Sequence, residues 1–258
     1  MSNSFLKNAS YTVLDWVTLK KGIARRINDI KVRFPPRWMR YFPGDYEKEN
    51  YAFLKQYLKP GMDVIDIGAH IGLFSVICSQ LTQGKGKIIC FEPTPGTHKL
   101  LLETLKLNHS KNVTPVQAAV SDKVGNATFY ISTADEGCNS NSLVKNREEK
   151  DLFAYDVKLE TIDNITAGHS LKPSLIKIDV EGAELDTIKG GVQTFKNHKP
   201  VLIIGLHPAF IKQKGDSLEA IWDLLQDCRY QVKLEDKLMT KEDFCSRQIL
   251  FDVVCFPA

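Results

Sequence analysis

The sequence predicts an α/β fold in which a mostly parallel sheet is covered by helices on both faces. Three observations predict it. Apolar strand-like runs alternate with helical segments from residue 46 onward, the pattern of βαβ units. Residues 62–74 pass from an apolar run through a glycine turn into a helical stretch, as a strand-to-helix corner does. A chain of 258 residues, 43% apolar and 25% charged, suits one such domain with an N-terminal appendage.

The elements follow in order. Residues 1–43 carry nine Lys or Arg against Asp15 and Asp29, a balance of +7, which leaves −4 for the rest of the chain. Val13, Trp16, Val17, Ala24 and Ile27 fall near helical spacing, with Lys20, Lys21, Arg25 and Arg26 between them. This predicts a basic helix over the appendage 1–44. Such a helix either touches a membrane or an anionic substrate, or packs its apolar stripe on the domain and leaves a solvated basic face. Pro35-Pro36 and Pro43-Gly44 end it. Residues 45–258 then form the domain. Helices are expected over 46–58, 71–81, 96–108, 183–189 and 217–228. Strands are expected over 62–67, 87–92, 113–117, 175–180 and 201–206, with 230–234 and 249–256 as an edge hairpin. Residues 127–132 and 155–160 read as extra strands around a polar loop, 133–150.

The glycine turn reads Asp66-x-Gly68-x-x-x-Gly72, within Val64-Ile-Asp-Ile-Gly-Ala-His-Ile-Gly-Leu-Phe74. The dinucleotide fingerprint needs a third glycine at the pyrophosphate spacing, and none follows here. The pattern suits S-adenosylmethionine, a nucleoside without a phosphate. Gly68 lets the backbone approach such a ligand closely, and Asp66 can support its cationic end directly or through water. Glu92 ends the next apolar run about 20 to 25 residues later, where an acid accepts both ribose hydroxyls.

Residues 176–182 read Ile-Lys-Ile-Asp-Val-Glu-Gly. A covered parallel strand is normally apolar throughout, yet Lys177, Asp179 and Glu181 share one parity and point the same way. One reading is functional, with Asp179 and Glu181 at the carboxyl end where open α/β sheets bind ligands. The other is a structural Lys177–Asp179 ion pair with Glu181 capping the next helix. His207 ends the neighbouring strand and comes near both acids, as a general base oriented or stabilised by Glu181 or Asp179. A minority version has Asp179 and Glu181 hold Mg²⁺, although nothing in the sequence requires a metal. Gln117-Ala118 stands where an adenine edge would lie. Ser121 and Asp122 are close by, and Asn139, Ser140 and Ser142 punctuate the polar loop.

These residues resemble the FkbM family of S-adenosylmethionine-dependent methyltransferases. The matching pieces are residues 64–74, Phe91-Glu-Pro93, Ser140 to Leu143, Lys177-Ile-Asp-Val-Glu-Gly-Ala-Glu184 and Leu206-His-Pro208. The resemblance covers about residues 45–256. It implies a Rossmann-like class I methyltransferase fold with a seven-stranded sheet. It also implies O-methyl transfer to a hydroxyl of a sugar, glycan, glycolipid, polyketide or related small molecule, and sometimes to a carboxylate, with S-adenosylhomocysteine as product. Carried onto this sequence, the cofactor-contacting residues are Glu47, Asp66, Gly68, Ala69, His70, Gly72, Leu73, Phe74, Glu92, Pro93, Gln117, Ala118, Ser140 and Asp179. The catalytic residues are His207, Glu181 and Asp179. Two departures stand out. His70 replaces the usual Asn, and Gly205 replaces the usual acid before the His-Pro pair.

Two rivals differ in class. A nucleic-acid methyltransferase of the amino-group kind places a polar-Pro-Pro-aromatic turn after strand four, where this chain has Asp-Val-Glu-Gly. The acidic core also argues against a phosphate-tracking surface, so DNA is not an expected partner. A non-catalytic scaffold of the same fold would have no use for the charged strand. Six cysteines without C-x-x-C spacing, no signal peptide and no membrane-length apolar run point to a cytoplasmic protein, with membrane-surface contact only through residues 1–43. No motif encodes the oligomeric state or names the acceptor.

Overall fold

The computed structural model of the chain describes residues 21–36, 38, 41–132 and 152–258. It begins with a hairpin, β1 (Ile23–Ile27) paired antiparallel to β2 (Ile30–Phe34). Asn28 and Asp29 both take positive φ, 45° and 67°, as a two-residue type I′ turn requires. This corrects the helical expectation over residues 23–27. Ile27, Val32 and Phe34 are fully buried, while Ala24, Arg26 and Lys31 face solvent. The period is two, set by the Asn-Asp turn, rather than 3.6. The earlier part of the expected helix, 13–20, lies outside the described residues, as does any membrane contact through it.

The chain continues through α1 (Lys48–Tyr57), β3 (Asp63–Ile67), α2 (Leu73–Leu81), β4 (Ile88–Phe91), α3 (Pro95–Leu107) and β5 (Val113–Val116). An insertion follows, β6 (Ala119–Val120), β7 (Gly125–Ser132) and β8 (Leu152–Glu160), which forms its own sheet in the order β6-β8-β7. Next come α4 (Ile162–Gly168), β9 (Pro173–Ile178), α5 (Glu184–Lys189), α6 (Val192–His198), β10 (Val201–Leu206), α7 (Pro208–Lys214), α8 (Leu218–Asp227), β11 (Tyr230–Leu234), β12 (Lys237–Leu238), α9 (Lys241–Cys245) and β13 (Phe251–Pro257).

Among the described residues the main sheet has eight strands, in the order β12-β11-β13-β10-β9-β3-β4-β5. The five from β5 to β10 are parallel, and β13 runs antiparallel to both neighbours. The strand beyond the expected seven is β12, two exposed residues turned back on β11. The turn between them, Glu235-Asp236, again has both φ values positive.

Burial explains these elements. All six residues of β10 are buried, as a central covered strand demands. In α8 the buried Leu218, Ile221 and Leu225 share one face, and Ser217 caps its first turn by accepting from the Ala220 amide at 3.2 Å. Full burial of Ile221 and Leu225 contributes about 1.5–3 kcal/mol each. Strand parity divides the core. Ile65, Ile67, Ile176, Ile178, Leu202 and Ile204 pack under α5 and α8. Val64, Ile88, Leu175 and Ile203 pack under α2, in the same cluster as Ile27, Val32 and Phe34 of the hairpin. No helix of the described residues is long and apolar enough to cross a membrane.

From β3 the chain moves outward to β4 and β5; from β9, on the other side of β3, it moves outward to β10 and β13. Strand order therefore reverses between β3 and β9, and the crevice above their carboxyl ends is where open sheets of this kind bind ligands.

Candidate active site

A cavity of about 500 Å³ opens above that reversal. Gly68, Ala69, Glu92, Asp179 and His207, which follow the ends of β3, β4, β9 and β10, all line it. Of the residues expected to contact a cofactor, Glu47, His70, Leu73, Phe74, Pro93 and Ala118 line it too. Asp66, Gly72 and Gln117 are not part of its wall. Ser140, with Asn139 and Ser142, lies outside the described residues.

The glycine turn works differently from the expectation. Gly68 has φ +80°, and a Cβ there would sit 1.8 Å from the Asp179 carbonyl oxygen. The missing side chain thus makes room for the end of β9, and Gly68 also lines the cavity. Gly72, at φ +87°, opens α2 and packs on Leu101.

Asp66 is fully buried and accepts a 2.5 Å hydrogen bond from Ser75 Oγ of α2. Its register partner on β9 is Lys177. Burial raises the Asp66 carboxyl, and Lys177 and Ser75 oppose the shift. Asp66 is therefore a support beneath the cavity rather than part of its wall, so of the two expected modes, direct or through water, the placement does not offer the direct one.

Glu92 is 7% exposed. Its Oε2 accepts from the His70 amide at 3.0 Å and its Oε1 from the Thr94 amide at 2.9 Å. Burial pushes its carboxyl up to about 7, against the pull of those two amides. His70 takes φ +50° and sets its ring edge-on to Trp38, 5.4 Å between centroids. Beyond Ala118, the apolar Ala119 and Val120 continue that wall.

At the far side Lys177 Nζ donates to Asp179 Oδ2 at 2.7 Å. The structural ion pair weighed from the sequence is present. Burial works against the Lys177 charge, but Asp179, Glu47 and Asp66 outweigh it and raise its pKa. Burial likewise works against Asp179, and Lys177 holds its carboxyl below the usual range. Glu181 faces the cavity at φ +47°, its carboxyl pushed up to about 8 by burial. The N-cap residue of α5, Ala183, makes no side-chain bond.

The residue at His207 is a different acid. Glu184, fully buried, places Oε1 2.8 Å from His207 Nδ1 and takes the Gly182 amide on the same oxygen at 3.0 Å. His207 Nε2 faces Asp179 Oδ1 at 3.8 Å. Burial lowers the His207 pKa, but the Glu184 hydrogen bond and the charges of Glu184, Asp179 and Glu181 raise it overall. Glu184 orients Nδ1, while the expected Asp179 and Glu181 act by charge, Asp179 lying near Nε2. The signal lies in the last acid of the Asp-Val-Glu-Gly-Ala-Glu stretch, Glu184. Phe42, Tyr46, Thr94 and Asp252 also line the cavity without having been singled out; no local pattern marks them.

A carboxylate at Nδ1 selects the Nδ1–H tautomer and leaves the Nε2 lone pair toward the cavity, the arrangement of a general base. Among the described residues no set of three or more His, Cys, Asp or Glu is placed to hold a metal ion. Five acids line the cavity, Glu47, Glu92, Asp179, Glu181 and Asp252, and Asp179, held ionised by Lys177, gives it a negative potential that favours a cationic ligand.

The methyltransferase FkbM domain family matches residues 66–232, from the end of β3 into β11. Hexuronic acid methyltransferase AglP of Haloferax volcanii is 25% identical over 244 residues, which cover 89% of this chain and 92% of that protein. Methyltransferase sdnD of Sordaria araneosa is 27% identical over 154 residues, 49% of this chain and 59% of that protein. The crystal structure of methyltransferase FkbM from Methylobacillus flagellatus is 19% identical with a TM-score of 0.49, and the match covers 77% of this chain but 44% of that one. A putative rRNA-methylase from Clostridium thermocellum, 10% identical, has a TM-score of 0.50 over 81% of this chain and 94% of that one. That likeness shows the α/β class I methyltransferase fold.

Proposed function

The chain belongs to the FkbM family of S-adenosylmethionine-dependent methyltransferases, and on that premise we propose that it methylates a hydroxyl of a sugar, glycan or related small molecule, with His207 as general base. The observation that carries this reading is the Glu184–His207 pair, with Nε2 turned to the cavity. The similarity to a hexuronic acid methyltransferase along most of both chains supports a sugar acceptor.

The residues present fit the cofactor. Glu47 Oε2 is a buried acceptor without a hydrogen-bond partner on the cavity wall, suited to an ammonium donor. The Glu92 carboxylate has lone pairs left for ribose hydroxyls, and Ala118, Ala119 and Val120 offer a flat apolar surface to a base. When bound, S-adenosylmethionine supplies an electrophilic methyl on a positively charged sulfur.

The chain's own part is to align the acceptor and to take its proton. An alcohol is a weak nucleophile until that proton leaves. His207 Nε2 draws it off, and Glu184 stabilises the imidazolium that forms. Asp179, kept ionised by Lys177, adds negative potential beside Nε2 and leaves the proton on the ring. Replacement His207→Ala should keep S-adenosylhomocysteine binding in calorimetry while turnover falls by about 10²–10⁴-fold. Unchanged turnover removes His207 from the mechanism.

A further inference from the structure

The β1–β2 hairpin carries a charge pattern for which the cavity has no use. Residues 21–34 hold Lys21, Arg25, Arg26, Lys31 and Arg33 against Asp29 alone. The whole chain has 34 basic and 31 acidic residues, so without the hairpin acids outnumber bases by one. Successive strand residues face opposite ways. Ile27, Val32 and Phe34 turn inward, and Ala24, Arg26, Lys31 and Arg33, of the opposite parity, make up the outer face. In the register Arg26 stands opposite Lys31, and Arg33 opposite Ala24. A like-charge pair of this kind costs stability. Among the described residues no acid offsets it, since Arg26, Lys31 and Arg33 take part in no ion pair. Both arginines donate to carbonyl oxygens, Arg26 Nη1 to Asp29 at 3.1 Å and Arg33 Nη1 to Lys21 at 2.9 Å, which orients them and leaves their charge in place. The Asp29 carboxylate is turned to Lys55 at 3.7 Å. The hairpin is also tied to the cavity. Phe34 stacks on Phe42, 5.4 Å between centroids, and Asn28 Nδ2 donates to the Tyr46 carbonyl at 2.7 Å. Phe42 and Tyr46 both line the cavity.

We propose that the outer face of this hairpin docks on an anionic lipid surface and so holds the cavity beside a membrane. At the backbone the three cations span a patch of roughly 5 by 7 Å, one strand spacing by two residues. Lipid headgroups move laterally and gather under such a patch, and the negative potential of an anionic bilayer attracts each Lys or Arg near it. A nucleic acid fits less well. It needs a basic track along many phosphates, and single strands add aromatic rings on which bases stack; Ala24, Arg26, Lys31 and Arg33 provide neither. Docking does not depend on which group the enzyme methylates.

The test uses the full chain, cosedimented at low salt with vesicles of phosphatidylcholine alone or mixed with phosphatidylserine. The mixed vesicles should bind it and the neutral ones should not. Binding should be lost at about 1 M salt, where charges are screened beyond about 3 Å. The triple variant Arg26→Gln, Lys31→Gln, Arg33→Gln should bind the mixed vesicles about 10²-fold more weakly, about fivefold per cation. A control, Lys123→Gln, Lys196→Gln, Lys237→Gln, removes the same charge at exposed positions of other elements and should bind as the parent does. Thermal melts show whether the triple variant folds. If it does not, Lys31→Gln alone relieves the like-charge pair and reads the same face, with about a fivefold loss expected. Docking is overturned if the parent leaves the mixed vesicles unbound, if it binds neutral vesicles equally well, or if the folded hairpin variant binds like the parent. It is equally overturned if the control loses as much as the hairpin variant, or if the parent binds polyuridylate more tightly than the mixed vesicles. Failure of the methylation reading shows instead in the turnover of His207→Ala, a change that leaves the hairpin and its vesicle binding as they were.

Discussion

Glu184 Oε1 lies 2.8 Å from His207 Nδ1, although the two residues are 23 positions apart and sit on different elements. Glu184 opens α5, and His207 ends β10. Gly182, at φ +101° with Phe210 packed where its side chain would be, turns the chain so that its amide and the imidazole meet on one oxygen. Replacement Glu184→Gln tests what that contact does. The amide oxygen would go on accepting from the Gly182 amide and from Nδ1–H, but without a negative charge to stabilise the imidazolium. Turnover should fall by about 10²–10⁴-fold. Calorimetry should show unchanged S-adenosylhomocysteine affinity, and equal turnover would mean that Glu184 is structural only.

The same contact sets a pH dependence. His207 must be unprotonated to act, and its pKa lies above the ordinary imidazole value because Glu184, Asp179 and Glu181 outweigh burial. The acid limb of kcat/KM should therefore have its midpoint above about 6.5, with activity lost as pH falls through it. Glu184→Gln should move the residual activity's midpoint down. A pH–rate profile of both proteins decides, and a midpoint at the ordinary value or below would contradict the assignment.

Glu181 gives a dependence in stability. Its carboxyl rises from 4.5 to about 8 in the fold because burial disfavours the charge. Between those values the folded chain binds more protons than the unfolded one, so stability is full below about 4.5 and is lost as pH rises toward 8. Glu92, raised to about 7, adds in the same direction. Thermal melts across this window should show Glu181→Gln with a flatter profile than the parent, each kcal/mol recovered being worth about 2–4 °C. Parallel profiles would mean that Glu181 is not buried as described.

How much of this was legible in the sequence depends on what each residue answers to. The sheet was readable because Val64, Ile65, Ile88, Ile89 and Val201–Leu206 follow one rule, burial on both faces. Glu92, His207 and Asp179 were readable because strand ends at a crossover point carry chemistry. Gly68 is legible as a turn glycine, but the packing of β9 against it is not, since only the folded chain brings Asp179 over it. Asp66 reads as a ligand contact from sequence because Lys177, its compensating charge, lies more than a hundred residues away. The hairpin 23–34 was read as a helix because Val13, Trp16 and Val17 suggested a helical period and the Asn28-Asp29 turn lacked a glycine. Residues such as Tyr46 and Asp252 reach the cavity through tertiary packing alone, which no local spacing records.

Lys177 holds that buried arrangement together. It is 8% exposed, bonded to Asp179 and paired in register with Asp66. Replacement Lys177→Met keeps the volume but leaves Asp66, Asp179 and Glu47 without their common cation. Removing one partner of a buried pair costs about 3–5 kcal/mol. Denaturant unfolding should show that loss, and the added change Asp66→Asn should recover part of it. A loss under about 1 kcal/mol would mean that water, not Lys177, neutralises these acids.

Gly68→Ala separates the two accounts of the glycine turn. If Gly68 served only to let a ligand approach, the change would cost the ligand-free protein no more than the left-handed penalty. The structure puts a Cβ there 1.8 Å from the Asp179 carbonyl oxygen, at φ +80°. The end of β9 must then move, and Asp179 moves with it. Gly84 is the control, since its φ is +64° with nothing within 4 Å of a Cβ. Gly84→Ala should cost about 1 kcal/mol, the left-handed penalty alone, whereas Gly68→Ala should cost at least about 3 kcal/mol because strain and collision add. Denaturant melts without any ligand compare the two directly. Equal costs would show that the glycine is kept for the ligand and not for the strand beside it.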